Sequence, residues 1–227
     1  MNKKNTVLAL GDSHIRVFEH LFFKLFFPKT IFKIVYIAGA SISGINNIDS
    51  LTKAYKIYKE SLTMKDYDRI FITLGEVDTA YTLWNRSQKN NTPIDTLLED
   101  IVSKYTNFLT ELSTYAPVTV LSAPLATVKE NEDCPDDVSG IRATSKVTQQ
   151  QRTLLCVELN SKINSFVKDK KNIDFIDFDS VVLGKNNLVK PWLLNYSDKC
   201  DHHYKRWIYS IVLVWKLKNY FRSKSGI

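Results

Sequence analysis

Residues 6–14 read TVLALGDSH, and this stretch gives the first indication of the fold. TVLAL is apolar and has the length of a buried strand, whereas GDSH is typical of a tight turn that leads into a helix. The serine in that turn, Ser13, has two interpretations. It is either the cap of the following helix or a nucleophile held on a strand-to-helix bend, and the rest of the sequence has to decide between them.

Short apolar runs alternate with longer helical patterns along the whole chain. The apolar runs predict five strands, at residues 6–10, 31–40, 68–75, 118–124 and 173–178. Strands separated by helices pair in parallel through right-handed crossovers. We therefore predict a single α/β domain over residues 1–227, built as a three-layer α/β/α sandwich with about five parallel strands in flavodoxin-like order.

The first helix is predicted over residues 14–27, which are rich in phenylalanine. The helical period places five apolar side chains on one face: Val17, Leu21, Phe22, Leu25 and Phe26. We expect this face to pack in the core, and the alternative is that its aromatic surplus lines an acyl or lipid pocket.

The charge and the apolar runs narrow the class of protein. The formal net charge of +7 permits nucleic acid, an anionic glycan or a membrane surface as partner. Apart from the tail that starts at KLKNYFRSK (216–224), the Lys and Arg residues are scattered, so we expect no nucleic-acid partner. The first apolar run is too short for a signal peptide, and WIYSIVLVW (207–215) is too short to span a bilayer. Peripheral membrane contact stays open, and the oligomeric state is not predicted.

The three cysteines, Cys134, Cys156 and Cys200, have no paired spacing. This argues against a disulfide framework and favours a reducing compartment, so we expect a soluble, cytoplasmic protein. The run CDHH (200–203) has no second Cys or His cluster at ligand spacing, so we expect no metal site. We also expect no cofactor, because GASISG (39–44) lacks the spacing of a dinucleotide-binding loop.

Residues that carry chemistry follow the predicted strands. The first strand ends at GDSH, the second at GASISG and the third at GEVD (75–78), while DHH (201–203) precedes the last helix. In parallel sheets of this kind, ligands bind beyond the carboxyl ends of the strands. A serine nucleophile needs a histidine base oriented by a carboxylate, and the segment DHH (201–203) supplies both. We therefore expect Ser13 to react, with backbone N–H groups at Ser13 and Gly39 as oxyanion donors.

These four blocks resemble the SGNH (GDSL-type) hydrolases in their order and in their placement after strands. GDSH matches the first block of the family, IAGASISG (37–44) the second, GEVD stands where the family has G-x-N-D, and DHHY (201–204) where it has D-x-x-H. The resemblance implies a Ser13 nucleophile, a His203 base oriented by Asp201, and a backbone oxyanion donor at Gly39.

GDSH near the N-terminus together with GEVD resembles the carbohydrate-modifying branch of that family, found around bacterial surface-polysaccharide genes. The implied chemistry is ester hydrolysis or acetyl transfer on a glycan or small-molecule ester. Hydrolysis and transfer share their first half-reaction, so the choice between them stays open.

Two features depart from the family pattern. Val77 occupies the Asn position, and loss of such an oxyanion donor typically costs about 10²–10³ in turnover. Ionised Glu76 cannot replace it, because a carboxylate only accepts hydrogen bonds. The alternative function is therefore a catalytically weak domain that binds glycans without turnover. Asp201 also precedes His203 by two positions rather than three, and His202 is closer still, so either histidine remains a candidate base.

Five further residues are expected to support the site: Asp12, Gly75, Glu76, Asp78 and His202. Asp12 is expected to tie the turn through its side chain, and Asp78 matches the structural acid of the family. Glu76 and Asp78 have alternative readings as an acid/base pair or as metal ligands.

Three loops on the predicted functional edge, residues 79–91, 125–148 and 184–200, should set specificity. Candidate sugar-stacking residues in them are Tyr81, Trp84 and Trp192, and Arg86 is a candidate contact for a carboxylated or phosphorylated substrate. Packing in the core is the alternative for the aromatic residues.

Overall fold

A five-stranded parallel sheet forms the centre of the computed structural model, which describes residues 4–45, 47, 50–63, 66–130 and 147–225. The strands lie in the order β2-β1-β3-β4-β5, which confirms the flavodoxin-like prediction. Their bounds are β1 (Asn5–Gly11), β2 (Thr30–Tyr36), β3 (Arg69–Thr73), β4 (Val118–Leu121) and β5 (Ile173–Ile176). Because β1 lies inside the sheet, Leu10 pairs with Val35 of β2 on one side and with Ile72 of β3 on the other.

Helices connect the strands and cover both faces of the sheet. Their bounds are α1 (Leu21–Phe26), α2 (Ile42–Ile45), α3 (Ala54–Thr63), α4 (Leu83–Asn90), α5 (Ile94–Leu112), α6 (Gln149–Val167), α7 (Asp179–Val182) and α8 (Arg206–Ser225). A capping box starts α6, because Thr148 Oγ1 accepts a hydrogen bond from Gln151 N–H while the Gln151 side chain accepts one from Thr148 N–H. Short 3₁₀ turns run over Ser13–Glu19, Lys185–Asn187 and Pro191–Leu193, and a π-helical turn over Asp78–Thr82.

Alternate residues of each strand enter opposite layers. Leu8 and Leu10 of β1 belong to the apolar cluster that includes buried side chains of α3, α5 and α6. Val7 and Ala9 belong to a second cluster, with buried side chains of the 3₁₀ turn Ser13–Glu19 and of α8. A sheet that is apolar on both faces and covered by helices on both is the predicted three-layer sandwich.

The prediction of one helix over residues 14–27 is wrong. The chain forms a 3₁₀ turn, then an extended residue at His20 (φ −65°, ψ 141°), and then α1. Because a 3₁₀ turn has three residues per turn and His20 interrupts it, the α-helical period does not apply across the segment. Phe18 and Phe23 are the buried aromatic residues, whereas Leu21 and Leu25 are 62% and 64% exposed.

Residues 79–91 do not form the predicted loop. The π-helical turn Asp78–Thr82 continues directly into α4, which ends at Asn91 in the left-handed conformation (φ 48°). Of the predicted loop 125–148, residues 131–146 lie outside the described residues.

The structure tests the prediction made from the cysteines and the prediction that no segment spans a membrane. Cys156 is buried and free, whereas Cys200 is disulfide-bonded. The argument against a disulfide is therefore wrong for Cys200, and it no longer supports a reducing compartment. Cys134 lies outside the described residues, and the cytoplasmic location stays a prediction. Across the part of the chain that the structure describes, no helix is long and apolar enough to cross a membrane.

Candidate active site

Ser13, Asp201 and His203 meet beyond the carboxyl end of β1. Ser13 opens the 3₁₀ turn that follows β1, and the other two residues lie in the loop before α8. His203 Nε2 is 2.8 Å from Ser13 Oγ, and His203 Nδ1 is 2.8 Å from Asp201 Oδ1. Because a carboxylate can only accept, Nδ1 carries the hydrogen, and Nε2 of the neutral ring accepts a hydrogen bond from the Ser13 hydroxyl.

Asp201 is held from both sides. Asn195 Nδ2 donates to Asp201 Oδ2 over 3.0 Å, and Thr127 Oγ1 donates to the Asp201 carbonyl over 3.2 Å. Burial alone would raise the pKa of Asp201, but the hydrogen bonds from Asn195 and His203 outweigh burial and lower it. The residue is thus a carboxylate across the neutral pH range.

The two-residue spacing between Asp201 and His203 has a local explanation. The backbone N–H of His203 also donates to Asp201 Oδ1, over 2.9 Å, so the carboxylate closes a turn and receives the imidazole at the same oxygen. A separation of two residues is therefore sufficient. Of the two candidate histidines, His203 contacts Ser13, and His202 contributes its backbone carbonyl elsewhere.

A second Asp–His pair, Asp12 and His14 in the turn after β1, has the same geometry as Asp201 and His203. Asp12 Oδ1 accepts from both the backbone N–H of His14 (2.9 Å) and His14 Nδ1 (3.0 Å). The two pairs interlock. His203 Nε2 contacts Ser13, the residue between Asp12 and His14, and His14 Nε2 is 3.3 Å from the carbonyl of His202, the residue between Asp201 and His203. The interlock fixes the β1 turn and the α8 loop against each other.

The two histidines carry different charges. Burial favours neutral His14, but the adjacent Asp12 carboxylate outweighs it, with a smaller contribution from Glu76, and raises the pKa of His14 to about 9. The His14 and His203 ring centroids are 4.6 Å apart. Burial and the positive charge on His14 lower the pKa of His203, although Asp201 acts in the opposite direction. At neutral pH, His14 is an imidazolium and His203 is a neutral base.

Asp78 joins the segments that follow β2 and β3. Its carboxylate accepts hydrogen bonds from Ile42 N–H (2.6 Å), Ser43 N–H (3.0 Å) and Ser43 Oγ (2.6 Å). Gly39, just before these donors, is exposed and has φ +70°, which a residue without Cβ adopts at little cost. The neighbouring Ile37 N–H donates to the Gly11 carbonyl over 3.0 Å, so the Gly39 segment lies at the same sheet edge as Ser13.

Three residues of the GEVD segment, Gly75, Glu76 and Val77, lie behind this edge and differ in character. Gly75 has φ +123° and packs against α6. Glu76 is buried and lies close enough to His14 for its charge to act on the imidazole. Val77 is half-buried with helical backbone angles, and its side chain has no hydrogen-bond donor.

Known structures share this arrangement of strands. A member of the lipolytic G-D-S-L family from Veillonella parvula is 15% identical, with a TM-score of 0.56 over 94% of this chain and 96% of that chain. An acetyl xylan esterase is 16% identical, with a TM-score of 0.55 over 94% of this chain and 98% of that chain. The fold is that of the SGNH hydrolases.

A further structure has a similar fold, and the comparisons by sequence found no match. A carbohydrate acetylesterase from Sinorhizobium meliloti also has a similar fold, and it is 13% identical with a TM-score of 0.52 over 76% of this chain and 83% of that chain. No protein-family profile and no curated protein matches the chain by sequence. At these identities the likeness establishes the fold, and the chemistry has to be argued from the residues.

A cleft of about 450 Å³ opens at Ser13 of the SGNH fold. Residues that sequence reasoning did not select form much of its wall: His14, Arg16, Asn195, Lys205, Arg206 and Trp207. Arg16 and Arg206 share Glu19, at 3.3 Å and 2.8 Å. Most of these residues lie within four positions of Ser13 or His203, so proximity to the two motifs was the signal that could have found them.

The four predicted substrate contacts do not line this cleft. Tyr81 is buried beneath the Arg152 guanidinium, and Trp84 Nε1 donates to the Thr79 carbonyl over 2.7 Å. Arg86 is 3.8 Å from Asp100 of α5, and Trp192 is exposed on the turn Pro191–Leu193. Tyr81, Trp84 and Arg86 lie on the helical segment that replaces the predicted loop, and there they take part in packing and a surface ion pair.

Among the described residues, two groups of side chains at this site have metal-ligand spacing. The donor atoms of His14, His202 and His203 lie within 4.8 Å of one another, as do those of Asp12, His14 and Glu76. Both groups include His14, whose two ring nitrogens are directed at Asp12 and at the His202 carbonyl. Each ring nitrogen of His14 thus already has a hydrogen-bond partner.

Proposed function

We propose that the protein is a serine-dependent esterase or acyl transferase that acts on an acylated carbohydrate. The observation that carries the proposal is the hydrogen-bonded series from Ser13 through His203 to Asp201, which borders an open cleft. An acetyl xylan esterase and a carbohydrate acetylesterase among the structures of similar fold support a sugar ester as substrate.

In the first half-reaction, Ser13 Oγ attacks the ester carbonyl carbon while His203 Nε2 takes the hydroxyl proton. The tetrahedral intermediate then collapses, the bond between carbonyl carbon and alcohol oxygen breaks, and His203 returns the proton to the leaving alcohol. Ser13 now carries the acyl group. In the second half-reaction His203 deprotonates water or a sugar hydroxyl, which takes the acyl group and regenerates Ser13.

The charges around His203 suit this cycle. Asp201 orients the ring and stabilises the imidazolium that forms when Ser13 is deprotonated. His14 holds the opposite role, because its positive charge keeps His203 neutral before the attack. We assign His14 as a positioning residue, since it acts through His203 and through the carbonyl of His202.

The oxyanion donors in this proposal are the backbone N–H groups of Ser13 and Gly39. Asp78 supports the second donor, because its three hydrogen bonds hold the segment that follows Gly39. Val77 offers no side-chain donor, so turnover is expected to be lower than in an enzyme with asparagine at that position.

Kinetics with p-nitrophenyl acetate and an acetylated xylan oligosaccharide test the proposal. Ser13→Ala should lower the rate of ester cleavage at least about 10³-fold, because the nucleophile is removed while the fold stays intact. Ser103→Ala, at an exposed position of α5, is the matched control and should keep the wild-type rate. Equal rates for wild type and Ser13→Ala would reject the esterase. Release of free acetate, compared with its appearance on an added sugar acceptor, separates hydrolysis from transfer.

Val77 favours one alternative function, a domain that binds glycans at this cleft without turnover. Trp207 at the cleft wall offers an aromatic surface, and Lys205 offers a cation for an acidic sugar. Under this alternative, binding of the acetylated oligosaccharide would persist in both wild type and Ser13→Ala, and neither protein would release acetate.

A further inference from the structure

The last helix, α8, is apolar on two opposite faces, and the described part of the chain covers only one of them. Tyr209, Leu213, Val214 and Leu217 are buried against the sheet. On the outer side, Trp207, Ile211 and Trp215 are 56%, 45% and 53% exposed. A helix with apolar residues all round is normally covered all round, so the outer face lacks the partner its composition indicates.

The three exposed residues form one continuous stripe, here called the tryptophan stripe. Trp207, Ile211 and Trp215 are four residues apart, and side chains at this spacing lie on the same helix face. The stripe begins at the wall of the cleft that contains Ser13, because Trp207 lines that cleft. A partner that covers the stripe would therefore lie next to the substrate opening.

Basic side chains border the stripe, and acidic ones are missing from the helix. Between Arg206 and Ser225 the sequence has no Asp or Glu, whereas it contains Arg206, Lys216, Lys218, Arg222 and Lys224. Lys216 Nζ lies 5.8 Å from the centre of the Trp215 ring. The partner chemistry that fits is an apolar layer beneath a negatively charged surface.

Helix α1 lies beside α8 and adds to the same apolar surplus. Lys218 Nζ of α8 lies 4.4 Å from the centre of the Phe26 ring, and the rings of Phe27 and Phe221 are 6.3 Å apart. Helix α1 itself exposes Leu21, Leu25 and Phe26 and carries Lys24. Two neighbouring helices thus combine exposed apolar residues with lysines.

We propose that the tryptophan stripe, with α1, docks on a bilayer that contains anionic lipid. Tryptophan prefers the interface between lipid and water, and lysine stems extend along an apolar surface while their ammonium groups reach the headgroups. Basic side chains near an anionic membrane each add attraction, and salt screens it. A second copy of the chain is a poorer partner, because two such helices would set cations against cations.

Vesicle flotation tests this docking with the full chain. The protein should float with phosphatidylcholine vesicles that contain about 30% phosphatidylglycerol and stay behind with pure phosphatidylcholine. Binding should weaken at least about tenfold in the double variant Ile211→Ser/Trp215→Ser. It should also weaken in Lys216→Glu/Lys218→Glu and at about 0.5 M salt. Neither double variant touches the cleft, so cleavage of p-nitrophenyl acetate serves as the check on folding.

Leu154→Ser is the matched control, because Leu154 is 45% exposed on α6 and belongs to neither helix of the proposed surface. It should bind vesicles like wild type. Absence of binding to the anionic vesicles would overturn the proposal, and so would binding that neither double variant weakens. A dimer in light scattering that Ile211→Ser/Trp215→Ser converts to monomer, without vesicle binding, would assign the stripe to a second copy and likewise reject the bilayer.

Discussion

At the scale of single residues, the site consists of two Asp–His pairs that share one geometry and carry different charges. Asp201 holds His203 through a carboxylate that also accepts the histidine's own backbone N–H, and Asp12 holds His14 in the same way. Burial lowers the pKa of both histidines, so it does not separate them: the second carboxylate near His14, that of Glu76, raises the pKa of His14, and the positive charge of His14 lowers the pKa of His203. His14 becomes a fixed cation, and His203 stays a neutral base next to Ser13.

This difference predicts a pH profile. The proposed base works in its neutral form, and its pKa is lowered, so activity should persist below pH 6.5 and fall as pH drops through the lowered value. His14→Gln removes the neighbouring positive charge, so the pKa of His203 should rise. The acidic limb of kcat/KM should then move to higher pH.

The profile of p-nitrophenyl acetate cleavage, measured from acid to neutral pH, checks this shift. His20→Gln is the control, because His20 lies at the start of α1 and makes no contact with His203 in the described hydrogen bonds. A His14→Gln enzyme that is slower but keeps the wild-type midpoint would mean that His14 only supports the fold. A midpoint that moves to lower pH in His14→Gln would contradict the claim that the charge on His14 lowers the pKa of His203.

Much of the site at this scale could be predicted from the sequence. The sequence predicted Ser13, Asp201 and His203, because each follows a strand or precedes a helix at the carboxyl edge of the sheet. The sequence did not single out His14, since its charge depends on Asp12 and Glu76 in three dimensions. The roles of Tyr81, Trp84 and Arg86 could not be read from residue type, because stacking on a sugar and packing in a core use the same side chains.

At the scale of elements, the strands were predictable, and the errors lie in two connections, residues 14–27 and 79–91. Parallel strands that are buried on both faces leave continuous apolar runs, and all five were found. Residues 14–27 have the composition of one helix, but the turn after β1 is 3₁₀ and stops at His20. The result places Leu21 and Leu25 at the surface, and this exposure is part of the proposed docking face.

Gly75 gives a stability prediction for the junction of β3 with the following helix. A Cβ at this position would lie 2.6 Å from Leu159 Cδ2 and 3.2 Å from Ala123 Cβ, and φ is +123°. Gly75→Ala should therefore lower the free energy of unfolding by about 2–4 kcal/mol, from backbone strain and overpacking together.

Urea unfolding followed by far-UV circular dichroism measures this loss. Gly44→Ala is the control, because the atoms nearest to its new Cβ belong to the side chains of Ser41 and Ser50, at 3.1 Å or more, and its φ is not positive. That variant should stay within about 1 kcal/mol of wild type. Equal stability of Gly75→Ala and wild type would contradict this prediction, because it would mean that the side chains around residue 75 can move aside without loss of stability.

At the scale of the whole molecule, the strand order explains why distant motifs meet. In the order β2-β1-β3-β4-β5, the first strand has neighbours on both sides, and its carboxyl end is flanked by the segments after β2 and β3. Both apolar clusters include residues of β1, β3, β4 and β5, which supports the predicted single domain. That domain assignment stays a prediction. The second Asp–His pair and the uncovered face of α8 were out of reach of the sequence, because both depend on which side chains the fold leaves next to each other.

The central claim is that Ser13 is an activated nucleophile, and covalent labelling tests it most directly. Wild-type protein incubated with a fluorophosphonate should gain the mass of one adduct, mapped by peptide sequencing to Ser13, because His203 takes the hydroxyl proton as the serine attacks phosphorus. Ser13→Ala should gain no mass under the same conditions, and His203→Ala should label far more slowly. An adduct on another residue, or a wild-type protein that stays unmodified while it remains folded, would contradict the account.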